Sequence, residues 1–309
     1  MQNYYSIKIE CSSAYECIMS LYAYIHEKER KHFQLGSEWK REAMGMLPAA
    51  FAQELEDERW EVLHRLVLLV AHAPKKETVE EFLSWLQEIP AGEIYERLAP
   101  WVDSIPLNLG EIRDHSLSLL TRWNEHYFSK LEPSMMKRLE ENARQMAAQI
   151  GHTTPMELVD RATNGIWIEP MADLQEVVLI PQYHCAPTVV LDFYRGMATC
   201  LYPVGDAARE KREPLLELLP QAQCLADEKR LLLLRLLAQR SCTLTELQQH
   251  VGLAKSTVHH HVTALRRAGL IRAHYVGTTT VSYYSLRDSF IERMPQLLRD
   301  FLESGEREA

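Results

Sequence analysis

Thr243-Leu-Thr-Glu-Leu-Gln-Gln-His-Val-Gly252, followed at once by Leu253-Ala-Lys-Ser-Thr-Val-His-His-His-Val-Thr-Ala-Leu-Arg-Arg-Ala-Gly269, decides the fold of the C-terminal region. Thr243 or Thr245 caps a helix on which Leu244, Leu247 and Val251 point to a core. Gly252 supplies the tight turn between the two helices of a helix-turn-helix. Val258, Val262 and Leu265 follow at spacings of four and three, so they form the buried seam of a second helix. Lys255, Ser256, His259, His260 and Thr263 then fall on its opposite side, and Gly269 stops it as a C′ glycine.

Working outward, Ala226-Asp-Glu-Lys-Arg230 opens a preceding helix with Leu231, Leu233, Leu234 and Leu237 as apolar positions. On the far side, Leu270–Val276 and Val281–Leu286 alternate around Gly277-Thr-Thr-Thr280, which predicts a β-hairpin wing. The order is helix, short strand, helix, turn, helix, hairpin, helix. Short or planar hydrogen-bonding side chains flanked by cations are what a major-groove reader presents. Ser256, Thr257, His259, His260 and Thr263 are expected to reach base edges and the adjacent backbone, with Thr245 beside them. Lys255 and the free amides around it favour a phosphate. Arg266 and Arg267, with His274, Thr278 and Thr279 of the wing, are expected to grip the backbone on either side.

The charge agrees. The chain of 309 residues has a net charge of −9, but between Leu225 and Asp288 nine Lys and Arg face four acids. That local excess of +5 inside an acidic chain is the footprint of a nucleic-acid-binding module attached to something else.

Leu225-Ala-Asp-Glu-Lys-Arg230, Leu253-Ala-Lys-Ser-Thr-Val-His-His-His-Val262 and Leu265-Arg-Arg-Ala-Gly-Leu-Ile271 resemble, in order and spacing, the winged-helix domain of ArsR-type bacterial transcriptional regulators. The resemblance covers roughly residues 213–304. It implies a homodimer on a palindromic operator, one recognition helix per half-site, with half-sites on the order of 34 Å apart. It also implies that the flanking helices, Ala207–Leu219 and Asp288–Leu302, help form the dimer. The metal sites of the family do not carry over. Thr245-Glu-Leu-Gln-Gln-His-Val-Gly252 lacks the Cys-x-Cys pair, and Ser289–Ser304 has no His. His259-His260-His261 point about 100° apart in succession and cannot converge on one ion. No metal and no cofactor are therefore expected.

The remainder reads as a helical region with a β insert. Ser13-Ala-Tyr-Glu16, Thr78-Val-Glu-Glu81 and Thr154-Pro-Met-Glu157 are capping-box patterns opening helices. Further helices are predicted over Glu38–Met46, Asp57–Ala71, Leu109–Lys130 and Pro133–Ile150, after an alternating run at Tyr5–Ile9. Gly165–Glu169, Gln175–Ile180, Thr188–Asp192 and Met197–Tyr202 are short apolar or β-branched runs between prolines and predict a meander or small sheet. Composition, at 46% hydrophobic and 25% charged, is that of an ordinary globular protein. No apolar run approaches the ~20 residues that a bilayer requires, and no signal peptide is recognised at Met1–Glu10. Six irregularly placed cysteines read as reduced thiols, which points to the cytoplasm.

The fold class is thus α+β, mostly α. Residues 1–206 form a helical sensor or dimerisation domain with a β segment at about 165–203. Residues 207–304 form a winged helix-turn-helix domain, and 305–309 a tail. The expected function is a sequence-specific DNA-binding regulator, a repressor, controlled by a signal at the N-terminal domain. A small-molecule effector of undetermined site is a possible partner, and no membrane is. The chain carries no Gly-rich phosphate loop, His-Glu-x-x-His or Gly-x-Ser-x-Gly, and is read as a non-enzyme. Two alternatives stay open: an enzyme or ligand-binding protein whose winged helix serves oligomerisation or protein contacts, and a redox sensor using Cys11, Cys17 or Cys185. The six tryptophans, all ahead of the winged helix, read as core packing before an aromatic ligand cage.

Overall fold

The computed structural model describes residues 4–26, 35–58, 63–205 and 213–304. In chain order its elements are β1 (Ser6–Ile9), α1 (Ser13–Ile25), α2 (Gly36–Met46), α3 (Ala49–Asp57), α4 (Leu63–His72), α5 (Val79–Glu88), α6 (Ala91–Leu98), α7 (Leu109–His126), α8 (Pro133–Ala147) and α9 (Pro155–Thr163). There follow β2 (Ile166–Ile168), β3 (Glu176–Gln182), β4 (Val190–Tyr194), β5 (Met197–Pro203), α10 (Glu213–Leu225), α11 (Glu228–Leu237), α12 (Leu244–Val251), α13 (Lys255–Arg267), β6 (Ile271–Tyr275), β7 (Val281–Leu286) and α14 (Ser289–Ser304). The chain is mostly helical, with two small sheets and a C-terminal winged helix-turn-helix. Trp60, residues 207–212 of the expected flanking helix and the tail at 305–309 lie outside the described residues.

Two compact units form, and neither is continuous in sequence. Among the described residues, one comprises those from 5 to 150 and from 172 to 204; the other comprises Tyr4 and those from 151 to 171 and from 205 to 304. The first is a helical unit around a four-stranded sheet of order β1-β3-β5-β4. Strands β1, β3 and β5 are parallel, and β4 returns antiparallel to β5. The centre of β3, Val177–Ile180, and that of β5, Ala198–Leu201, are buried throughout. A parallel strand covered on both faces reads as an unbroken apolar run instead of an alternating one. The alternating run at Ser6–Ile9 becomes the half-exposed edge strand β1.

The expected meander is corrected in one strand. The run at Gly165–Glu169 forms β2, but β2 does not join β3, β4 and β5. It pairs in parallel with β6, with Ile166, Trp167 and Ile168 opposite Ala273, His274 and Tyr275. Residues 151–171 accordingly cluster with the C-terminal unit, whereas a boundary at 206 groups them with the N-terminal one. A parallel partner lies far away in sequence and leaves no turn signal between the two strands.

The core of the N-terminal unit is built around α1, whose residues Ala14–Leu21 are all buried. Ser12 caps this helix, its hydroxyl accepting from the Ala14 amide at 3.0 Å, where the sequence favours Ser13. Glu16, expected to complete a capping box, turns inward instead. Its carboxylate accepts from the Tyr183 and His184 amides, both at 3.0 Å, and from His184 Nδ1 at 2.5 Å. His184 Nε2 is then left as an acceptor for the Tyr127 hydroxyl at 2.9 Å, which in turn accepts from Trp39 Nε1 at 2.6 Å. The directions are mutually consistent when the His184 ring donates from Nδ1 and accepts at Nε2. Full satisfaction is what makes a buried carboxylate tolerable here.

Cys17 and Cys185 are buried, and Cys185 Sγ lies 3.6 Å from the Met19 carbonyl oxygen. Burial pushes the Cys11 thiol up to about 12, and that of Cys17 well above its ordinary value. Cys17 and Cys185 pack in the core, and burial keeps Cys11 and Cys17 poorly ionised at neutral pH.

In the C-terminal unit, Leu233, Leu234, Leu237, Leu247, Val251, Val258, Val262 and Leu265 close a second core with Leu270, Ile271, Ala273 and Tyr284. Asp227 caps α11 by accepting from the Arg230 amide at 2.9 Å. Thr243, not Thr245, caps α12 in a full capping box with Glu246. Gly252 takes φ +66° to make the turn into α13. The wing is an antiparallel pair, Ile271 opposite Leu286, and the short strand expected before α12 survives as a single bridge between Cys242 and Tyr284.

Two tests follow from these contacts. Glu16→Ala strands three donors in the core at ~1–3 kcal/mol each, so a loss of roughly 3 kcal/mol or more is expected in denaturant unfolding followed by the buried Trp123. The backbone and side-chain donors of Thr243, with Arg240, hold the Glu246 carboxyl down to about 2. Its contribution to the α12 cap is thus present above the ordinary carboxylate range and lost as pH falls through about 2. A carboxyl titration by NMR should place the Glu246 midpoint there, and Glu246→Gln should narrow the stability gap from wild type as the pH approaches it.

Candidate nucleic-acid interface

Helix α13 spans about 20 Å at 1.5 Å per residue, enough to lie along a major groove. Its seam of Val258, Val262 and Leu265 is buried to 0% exposure, which fixes the rotation of the helix. The remaining surface carries Lys255, Ser256, Thr257, His259, His260 and Arg267, all exposed, with Thr263 half-buried between them. Ser256, His260, Thr263 and Arg267 recur at three and four residues and so line one stripe. Ala254 at the N-cap position offers no side-chain acceptor, so the first amides of α13 remain open to a phosphate oxygen. Thr245 is exposed on the first turn of α12, and Thr278 and Thr279 at the wing tip are exposed as well.

Two residues expected at the interface, His274 and Arg266, are placed differently. His274 is buried at 7% exposure on β6, with Nδ1 2.7 Å from Glu169 Oε1 and Nε2 2.7 Å from the Ser285 hydroxyl. Its ring stacks on Tyr283 at 4.3 Å between centroids. Desolvation pushes its pKa below the ordinary histidine value, against the pull of Glu169. His274 is therefore a structural residue of the wing and is removed from the set that faces DNA. Its inward side follows from the pairing of β6 with β2, which covers a strand edge that a two-stranded wing leaves open. Arg266 is half-buried, with its guanidinium 3.4 Å from the Thr163 carbonyl, so it braces the helix instead of standing free. His261 is half-buried as well and accepts from Arg230 Nε at 3.4 Å, beside the cap of α11.

Sequence reasoning missed a set of residues behind the interface. Asp160, buried at 6% exposure, accepts on Oδ2 from Arg287 Nε at 3.1 Å and Arg272 Nη2 at 3.4 Å. Asn164, in the left-handed region at φ +53°, donates from Nδ2 to the Arg267 carbonyl at 3.1 Å. It thereby satisfies a carbonyl at the C-terminal end of α13 that the helix itself leaves open. The Thr154 capping box and the left-handed Asn that bound α9 are signals of a helix, and they carry no information on its partner.

Among the described residues, no group of three or more His, Cys, Asp or Glu is placed to hold a metal ion, and no helix is long and apolar enough to cross a membrane. No curated protein and no solved structure matches the chain. Residues 227–273, from the cap of α11 through the recognition helix into β6, match the family model of the bacterial regulatory protein, arsR family, and this stretch is an ArsR-family DNA-binding helix-turn-helix of a transcription regulator.

Proposed function

We propose that the protein is a homodimeric repressor that binds a palindromic operator through α13 and the wing, and releases it in response to a signal at the N-terminal unit. The observation that carries the reading is the exposed face of α13, where hydrogen-bonding side chains lie between Lys255 and Arg267 opposite a fully buried seam. The reading places the protein in the cytoplasm and assigns it no catalytic step.

Dimerisation is supported by α10 and α14, which pack on each other and share an ion pair between Glu217 and Arg293 at 2.7 Å. They leave Leu215, Leu219, Ile291, Leu298, Phe301 and Leu302 exposed. An apolar patch of this kind on two adjoining helices is self-complementary under a two-fold axis. For the signal, the N-terminal unit offers an apolar cleft among α4, α5, α6 and α7, lined by Leu66, Leu69, Leu86, Ile94 and Leu98 and by the stems of Arg65 and Arg113. Its lining suits a slender apolar effector.

Fluorescence anisotropy on duplexes tiling the DNA upstream of its own gene, with random competitor and a salt series, tests the proposal directly. A preferred site bound by two chains with a steep salt slope is the expected result; equal affinity for every duplex overturns it. Lys255→Ala and Arg267→Ala should each weaken binding to all sequences alike and reduce the salt slope by about one. Ser256→Ala and His260→Ala should instead relax preference at one base pair, by about 1–3 kcal/mol. Ile291→Asp combined with Leu298→Asp should give a monomer in sedimentation equilibrium and abolish binding to the full palindrome.

A further inference from the structure

We infer that residues 151–171, which lie outside the family-matched stretch, brace the wing against the recognition helix, and that Asp160, Asn164 and Glu169 are positioning residues for DNA binding although none faces DNA. The inference rests on the DNA-binding reading for its functional arm alone.

The brace has three points of attachment. At the first, Asn164 bridges helix and wing. Its Nδ2 donates to the last carbonyl of α13, that of Arg267, and its Oδ1 accepts from Arg287 Nη1 at 2.5 Å. Arg287 immediately follows β7, so one amide side chain ties the end of the recognition helix to the end of the wing. At the second, Asp160 holds Arg272 of β6 and Arg287 together, and Arg272 lies over the Trp167 ring at 4.8 Å. At the third, Glu169 Oε1 accepts from the Tyr283 hydroxyl of β7 at 2.5 Å and meets His274 Nδ1 of β6 at 2.7 Å. Both wing strands are thereby fixed by one carboxylate.

Backbone contacts join these points. The Ala273 amide donates to the Gly165 carbonyl at 2.8 Å, and the Glu169 amide donates to Tyr275 at 2.9 Å. The fit is close enough to need glycine. A Cβ on Gly165 would stand 2.7 Å from the Ile271 carbonyl oxygen, and one on Gly269 would stand 2.6 Å from Asn164 Oδ1. At the wing tip, a Cβ on Gly277 would come within 2.9 Å of Met171 Sδ.

A wing held only by its two-stranded hairpin pivots on the turn after the recognition helix, because a two-stranded ribbon is marginal alone. Here a third strand, the buried Asp160 and the half-buried Glu169 remove that freedom. The angle between α13 and the wing decides whether Thr278 and Thr279 reach the groove flanking the one that α13 enters. Residues 172–175 then run from the brace directly into β3 of the N-terminal unit.

The test uses the full-length protein and two variants. Asn164→Gly keeps a residue at ease in the left-handed region while removing both side-chain bonds, and Glu169→Ala removes the oxygen on which Tyr283 and His274 converge. Hydrogen exchange in the free protein is read first. Exchange of the β6 and β7 amides should rise at least tenfold in each variant while that of α11 and α12 stays at the wild-type rate. An unchanged wing overturns the brace whether or not DNA is bound. Hydroxyl-radical footprinting follows, on a duplex selected by wild type from a random-sequence pool. Protection of the flanking segment should be lost while the central segment persists, with affinity down about tenfold. Both segments persisting at wild-type affinity overturns the positioning role; a wild type that selects no sequence counts against the proposed function and leaves the exchange result to decide the brace.

Discussion

Burial of Val258, Val262 and Leu265 is the constraint on which the DNA-facing end depends. A helix with three zero-exposure residues at spacings of four and three has no freedom to rotate, because turning it by one residue would drive a charged or imidazole side chain into the core. The interface composition follows from that restriction. Whatever lies opposite the seam must face solvent, and what lies there is Lys255, Ser256, His259, His260 and Arg267. The seam in turn is held by Leu233, Leu237 and Leu247 of the two preceding helices, so core and reading surface are set by the same packing.

Each unit also buries a carboxylate and holds it with donors from far along the chain. Glu16 is surrounded by donors more than 160 residues away in sequence, and Asp160 by arginines more than 110 residues away. Neither partner set is repeated in the local pattern. Removing one partner of a buried acid costs far more than the net contribution of the bond it makes. Such groups make the arrangement around them specific: α1 accepts only the Tyr183–His184 turn, and α9 accepts only a wing with arginine on β6 and after β7.

That contrast separates what the sequence makes legible from what it hides. The helix-turn-helix was readable because its signals are local: the Thr243 cap, the left-handed Gly252, the seam period and the C′ glycine at Gly269 all lie within one stretch. The strands at 176–182, 190–194 and 197–203 were readable as strands for the same reason. Their partners were not. Parallel pairing of β1 with β3, and of β2 with β6, joins segments separated by long stretches of chain, and a short apolar run such as Ile166-Trp-Ile168 suits either sheet equally well. The inward turn of His274 was hidden for this reason, since its burial comes from β2 and Glu169, not from the alternation of β6.

The local excess of basic residues overstates the charge that DNA meets. Arg272 and Arg287 share Asp160, which lies outside the stretch that appeared basic. Arg240 is paired with Glu246 at 2.6 Å, and Arg230 leans on His261 and the cap of α11. Lys255 and Arg267 on α13 are the exposed cations best placed to meet phosphates. Since each neutralised phosphate contributes about one unit of salt slope, a single module with two such contacts binds nonspecific DNA weakly at moderate salt. On the proposed reading of a homodimer at an operator, weak attachment per module would leave discrimination to base contacts by Ser256, His259 and His260. It also makes the joining of two modules decisive, because linking converts the second encounter into an intramolecular one. Anything that alters the spacing of the two recognition helices, or the reach of the wing beside each, then acts on occupancy far more strongly than the few direct contacts by themselves would permit.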